Sequence, residues 1–195
     1  MLKRVNFGPL VGDYWPTINE LSTYFLAPKG KEWSYQGLND NWGLSISGLY
    51  GTSHLTPYAM SPANAKNTRV EAWLTMWGDP ELGVLLYYNK FGNEFAEHYF
   101  SAGDLSKLNV WVRTLMDDLR PVGLYVPFRE AWPAVKEFME REGELPRSIT
   151  WVRPQDLPPN TFPDPFDKVP EIETHGYPWE TDPTWWARRN DPATR

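Results

Sequence analysis

Nine of the chain's 19 prolines fall within its last 43 residues, from Arg153 to Arg195. Each proline removes a backbone N–H and restricts the residue before it, so this stretch cannot hold a regular helix or a central strand. It nevertheless carries Phe162, Phe166, Tyr177, Trp179, Trp185 and Trp186, an apolar load that free linkers rarely keep. The pattern therefore predicts a strap, residues 153–195, laid over a single domain, residues 1–152, by its aromatic side chains. A disordered tail is the alternative. With 195 residues, 41% of them hydrophobic and 15% aromatic, the chain can fill one real core.

The rest of the chain punctuates itself more regularly. Thr17 with Glu20 three residues later marks a capping box, and Ile18, Leu21, Phe25 and Tyr24 form the apolar face of the helix it starts, which Pro28 ends. Leu44-Ser45-Ile46-Ser47-Gly48-Leu49 alternates as a half-buried strand does, and 51–68 has the Gly, Ser, Pro and Asn content of a loop. Val70, Ala72, Leu74 and Met76 alternate with Glu71, Trp73, Thr75 and Trp77, which predicts a strand over 69–77. A turn at Gly78-Asp79-Pro80-Glu81, a run at 84–88, a turn at Gly92-Asn93 and a strand over 95–100 complete an antiparallel meander.

Beyond the meander, Asp104 reads as an N-cap. Leu105, Leu108, Trp111, Val112 and Leu115 then follow at helical spacing, predicting a helix over 105–117. A strand at 122–126 precedes a second helix over 128–141, with Ala131, Trp132, Val135, Phe138 and Met139 on one face. Pro133 lies a turn inside it, which predicts an irregular first turn or a later start. Gly143 suits the C′ position, and 148–152 gives a closing strand. The expected class is α+β: a mostly antiparallel sheet of about four to six strands, with helices packed on one face and a Pro-rich C-terminal strap.

Residue types needed for catalysis are sparse. The chain has no Cys and three His, so thiol nucleophiles, disulfides and Cys-based zinc sites are excluded. His54, His98 and His175 have no partner at metal-ligand spacing, and no G-x-S-x-G elbow or glycine-rich phosphate loop occurs. Ser101-Ala102-Gly103-Asp104 reads as a strand end leading into a cap. Asp117-Asp118 and the Glu140, Glu142, Glu144 group read as solvated helix ends rather than acid–base pairs. Most of the 11 Trp sit in periodic segments, Trp73, Trp77, Trp111, Trp132 and Trp151 among them, and core packing accounts for at least half. Neither a cofactor, a metal nor a catalytic residue is expected.

Charge is the more informative signal. A net charge of −6 and a pI near 5.1 argue against a phosphate-backbone binder. Residues 153–182 hold seven carboxylates against Arg153 and Lys168, a net of −5. An acidic, aromatic-studded strap suits recognition of a basic protein surface, with ordinary solubilising charge as the alternative. No stretch approaches a membrane span or a signal peptide, which predicts a cytoplasmic protein.

From Glu81 to Trp151 the chain resembles the bacterial polymorphic-toxin immunity proteins known as the Immunity protein 1 family. The likeness is carried by Leu82-Gly83-Val84-Leu85-Leu86-Tyr87-Tyr88, Val122-Gly123-Leu124-Tyr125-Val126-Pro127, the helix from Ala131 to Met139, Gly143-Glu144-Leu145-Pro146 and the closing Trp151. The N-terminal 65 or so residues and the strap extend beyond the compact family core, and Pro133 departs from its helix. The resemblance implies a non-enzymatic protein of interbacterial competition, including type VI secretion. Its partner is a cognate secreted toxin domain, neutralised in the producing cell's cytoplasm by covering its active site. Candidate partner-binding residues are Asp79 and Glu81, Asp117 and Asp118, and Asp164, Asp167, Glu171, Glu173 and Trp179 in the strap. A carbohydrate- or small-ligand-binding module and a small hydrolase are the other two function classes.

Overall fold

The computed structural model describes residues 2–7, 10–28, 42–49, 70–92, 96–114, 116–173 and 184. The elements in chain order are β1 (Leu2–Phe7), β2 (Leu10–Gly12), α1 (Ile18–Leu26), β3 (Trp42–Leu49), β4 (Val70–Asp79), β5 (Gly83–Phe91) and β6 (Ala96–Ser101). There follow β7 (Trp111–Arg113), β8 (Leu119–Pro121), β9 (Tyr125–Val126), α2 (Phe128–Glu140) and β10 (Trp151–Val152). One eight-stranded sheet runs in the order β10-β6-β5-β4-β3-β1-β2, with β9 added on β5, and every pairing in it is antiparallel. The α+β class is as expected, and the sheet is wider than the four to six strands that local alternation suggested. The β4–β5–β6 meander stands in its centre.

Alternation along the strands sorts side chains to two faces. Leu44, Ile46, Ala72, Leu74, Met76, Val84, Leu86 and Tyr88 face one layer, formed by Leu21 and Phe25 of α1 and by Ala131, Ala134, Val135, Phe138 and Met139 of α2. The α1 capping box is complete: the Glu20 amide donates to Thr17 Oγ1 at 3.2 Å and the Thr17 amide to Glu20 Oε2 at 2.6 Å. Helix α2 starts at Phe128 without delay, and the carbonyl of Pro127 accepts from both Glu130 and Ala131 in its first turn. Pro133 is accommodated because it lies on the exposed side, and the carbonyl to which it cannot donate belongs to exposed Arg129.

Four local expectations are corrected. The 105–117 segment is not a helix. One turn of 3₁₀ helix covers Leu105–Lys107, and Trp111–Arg113 pairs instead with Leu119–Pro121 as a separate two-stranded sheet. The backbones of 103–108 and 122–125 approach so closely that a Cβ on Gly103 would collide with the Tyr125 carbonyl, and one on Gly123 would lie 2.7 Å from that of Asp104. That approach halts the helix after one turn and also curls Val122–Leu124 into 3₁₀ form, so the 122–126 strand shrinks to Tyr125–Val126. The closing strand contracts to Trp151–Val152, because the amide of Ser148 donates to the Glu137 carboxylate of α2 at 3.3 Å rather than to a strand. Finally, C′ of α2 is Glu142, with φ 52°, and Gly143 is C″, its amide reaching the Phe138 carbonyl at 2.9 Å.

The other face of the sheet is covered by the β7–β8 hairpin and the start of the strap. Trp77, Leu85, Val112, Leu124 and Tyr125 form a second buried cluster, against which Leu157 and Ile172 pack. Trp111 is the peg. Its amide donates to the Pro170 carbonyl at 3.0 Å, its carbonyl accepts from Ile172 at 2.8 Å, and its indole Nε1 donates to the Thr161 carbonyl at 2.9 Å. Phe162 closes on Phe100 with ring centroids 4.9 Å apart. Residues 174–183 and 185–195, including Tyr177, Trp179, Trp185 and Trp186, lie outside the described residues, as does the 51–68 loop.

Candidate partner-binding surface

The hairpin and the strap meet at Arg113, the last residue of β7. Its Nε and Nη2 donate to the two carboxylate oxygens of Glu171 at 3.0 and 2.6 Å. Its Nη1 donates to the carbonyls of Asp117 and Pro165, both at 3.1 Å. One guanidinium thus ties the hairpin loop, the turn at 164–167 and the strap at 171 together, in the planar bidentate geometry that Arg favours. The Glu171 carboxylate in turn raises the Arg113 pKa, first by hydrogen bonding.

Each of these elements is locally determined. In the hairpin loop the Thr114 amide donates to the Asp118 carbonyl at 2.9 Å, and Thr114 Oγ1 accepts from the Asp118 amide at 3.2 Å. Asp117 takes a positive φ of 61° there, a conformation that Asp tolerates better than most residues. Asp164-Pro165-Phe166-Asp167 has Asp at the first and Pro at the second position, as a type I turn prefers. Asp164 Oδ1 accepts from the Phe166 amide at 2.9 Å, and the Asp167 amide closes on the Asp164 carbonyl at 2.9 Å.

Four of the nominated acids, Asp117, Asp164, Asp167 and Glu171, are therefore gathered around one residue that sequence reasoning did not single out. Asp118 sits beside them, bonded to Arg120 Nη2 at 2.9 Å, and that guanidinium lies 4.7 Å over the Trp77 ring. Glu173 is exposed two residues further along the strap. Asp79 is engaged otherwise: it is buried, and its Oδ1 accepts from the Glu81 and Leu82 amides at 2.8 and 2.9 Å, closing the β4–β5 turn. Glu81 is exposed on that turn. Trp179 lies outside the described residues. What local reading missed were Arg113, because its partners are 52 and 58 residues away, and the exposed Phe166. The Asp-Pro-x-Asp turn signal points to the latter, since the third turn residue faces outward.

The remaining candidates have structural partners. His98 Nδ1 shares a 2.7 Å hydrogen bond with the Tyr87 hydroxyl, and the two rings stack at 10°. Asp104 caps the 3₁₀ turn, accepting from Ser106 at 3.2 Å. Glu140 pairs with Lys136 and Glu144 with Arg141. His54 and His175 lie outside the described residues. Trp73, in its periodic segment, is 44% exposed, its indole donating to Glu71 at 3.1 Å. Among the described residues no group of His, Asp and Glu is arranged to hold a metal, and no helix is long and apolar enough to cross a membrane. No protein-family model, curated protein or solved structure matches the chain.

Proposed function

We propose that this chain is an immunity protein that neutralises a cognate toxin domain by binding, covering its active site with the acidic surface built around Arg113. The observation that supports this most directly is the gathering of Asp117, Asp164, Asp167 and Glu171 from two distant segments onto one braced surface. Such a surface steers a basic partner and repels nucleic acid, so it suits competition with a polyanionic substrate for the same cationic cleft. The residues behind the resemblance have clear structural partners: Tyr88 Oη donates to the Gly143 carbonyl at 2.9 Å, and Trp151 Nε1 to that of Pro146 at 2.7 Å. We assign the action to the cytoplasm of the producing cell and to binding without turnover. The test is growth of a bacterium producing the toxin domain encoded beside this chain's gene, with and without the chain. Protection and a stable complex are expected; no protection, or a hydrolase turnover by the purified chain, would overturn the reading.

A second reading, as a sugar- or small-ligand-binding module, draws on Trp73, which stands 44% exposed beside Phe91 with ring centroids 6.1 Å apart. Aromatic rings on an open sheet face can stack on apolar faces of a ligand. A saturable, sugar-induced change in Trp fluorescence that disappears in Trp73→Ala would favour it.

A further inference from the structure

Phe166 and Met116 are the two most exposed large apolar side chains among the described residues, at 95% and 57%. They belong to segments 50 residues apart in sequence, yet the structure places them on neighbouring turns. Arg113 Nη1 donates at once to the carbonyl just before Phe166, that of Pro165, and to the carbonyl just after Met116, that of Asp117. Both turns are closed internally, the first by Asp164 and the second by Thr114.

An isolated exposed hydrophobe needs no explanation, but a pair on two turns joined by one guanidinium does. Water contact with a Phe ring is unfavourable, and burying the ring in a partner relieves it. Two hydrogen-bonded turns contribute that burial to a complex with little further ordering of the backbone, which is what an interface anchor requires. The frame is acidic: Glu171 and Asp118 are paired with Arg113 and Arg120, which leaves exposed Asp117, Asp164, Asp167 and Glu173 against Lys168. That complementarity selects the occupant.

We infer that Phe166 and Met116 are paired anchors that insert into an apolar pocket of a protein partner whose rim carries Lys and Arg. The inference rests on the neutralising role and goes further by naming the anchors and the chemistry of the partner's pocket. Anionic lipid and nucleic acid are excluded as occupants by the same carboxylates, which repel phosphates.

The test uses the full chain and a defined probe, a synthetic amphipathic peptide with one Leu face and Lys flanks. Controls are a Lys/Ser peptide of equal charge, a Glu/Leu peptide and phosphatidylglycerol vesicles. Binding of the Lys/Leu peptide is expected, weakened roughly tenfold or more by Phe166→Ala and by added salt, and restored by Phe166→Leu. The melting temperature should not move, because the ring is out in water. Equal binding by Phe166→Ala, equal binding of the Lys/Ser or Glu/Leu peptide, preferential binding of the vesicles, or no binding would overturn the inference. Growth protection separates it from the broader reading. Undiminished protection by Phe166→Ala removes the anchors and leaves neutralisation standing, whereas peptide binding without protection by the unaltered chain removes neutralisation and leaves the anchors.

Discussion

Ser101 shows how one hydroxyl can complete a sheet. Strand β5 changes neighbour along its length, pairing β9 through Val84 and Leu85 and β6 from Tyr87 onward. Leu86 falls at the junction. Its amide donates to Ser101 Oγ at 2.9 Å, and the same hydroxyl donates to the Leu124 carbonyl at 2.7 Å, with Ser101 fully buried. Ser101→Ala leaves a buried donor and a buried acceptor unpartnered, so a loss of about 1–3 kcal/mol is expected in urea unfolding. A loss under about 0.5 kcal/mol would show that neighbouring groups relax to replace the bridge. Local reading recognised Ser101 as the end of a strand, but its acceptor lies 23 residues away, beyond the reach of any periodicity.

At the scale of elements, what was legible is what the chain decides within a few residues. The α1 cap is an example, because both hydrogen bonds of the box span three residues. Donation by the backbone of Thr17, and then by its hydroxyl, holds the Glu20 carboxyl below its ordinary value of 4.5. A depressed carboxyl pKa stabilises the fold fully above the unfolded value, and that contribution fades as pH falls through the folded one. Melting temperature should therefore decline below about pH 4.5, and Glu20→Gln, which keeps the capping pattern, should flatten part of that decline. An unchanged acid limb in the variant would show that other carboxyls dominate it. The 105–117 segment illustrates the opposite case: its helical spacing is real, but Trp111 and Val112 find β8, the strap and the second cluster instead. At the end of α2 the αL position holds exposed Glu142 rather than glycine. Relief of that conformation outweighs the added freedom of the unfolded chain, so Glu142→Gly should stabilise by up to about 1 kcal/mol. A destabilised variant would mean that the Glu142 side chain makes a contact worth more than its strained backbone costs.

For the whole molecule, the strap joins an observed packing role to the proposed recognition role, and composition alone does not place it. Prolines bar a regular helix or central strand from 153 onward, but the residue on which the strap docks, Trp111, has helical spacing and lies in a strand. The packed portion, 154–173, supplies Leu157 and Ile172 to the second cluster and the carbonyl that receives the Trp111 indole N–H. It also carries Phe166, Asp164, Asp167 and the Glu171 carboxylate held by Arg113. A chain ending at Pro154 should therefore lose about 3 kcal/mol or more of stability, through uncovered apolar surface and an unpartnered indole. On the proposed function it should also lose affinity for its toxin partner. Those losses are separable by Glu173→Lys, an exposed strap position where charge reversal should slow association several-fold at low salt, fade at high salt and leave the melting temperature unchanged. If the truncated chain melts earlier but binds with undiminished affinity, the strap serves only to cover the second cluster, and the partner meets another face of the sheet.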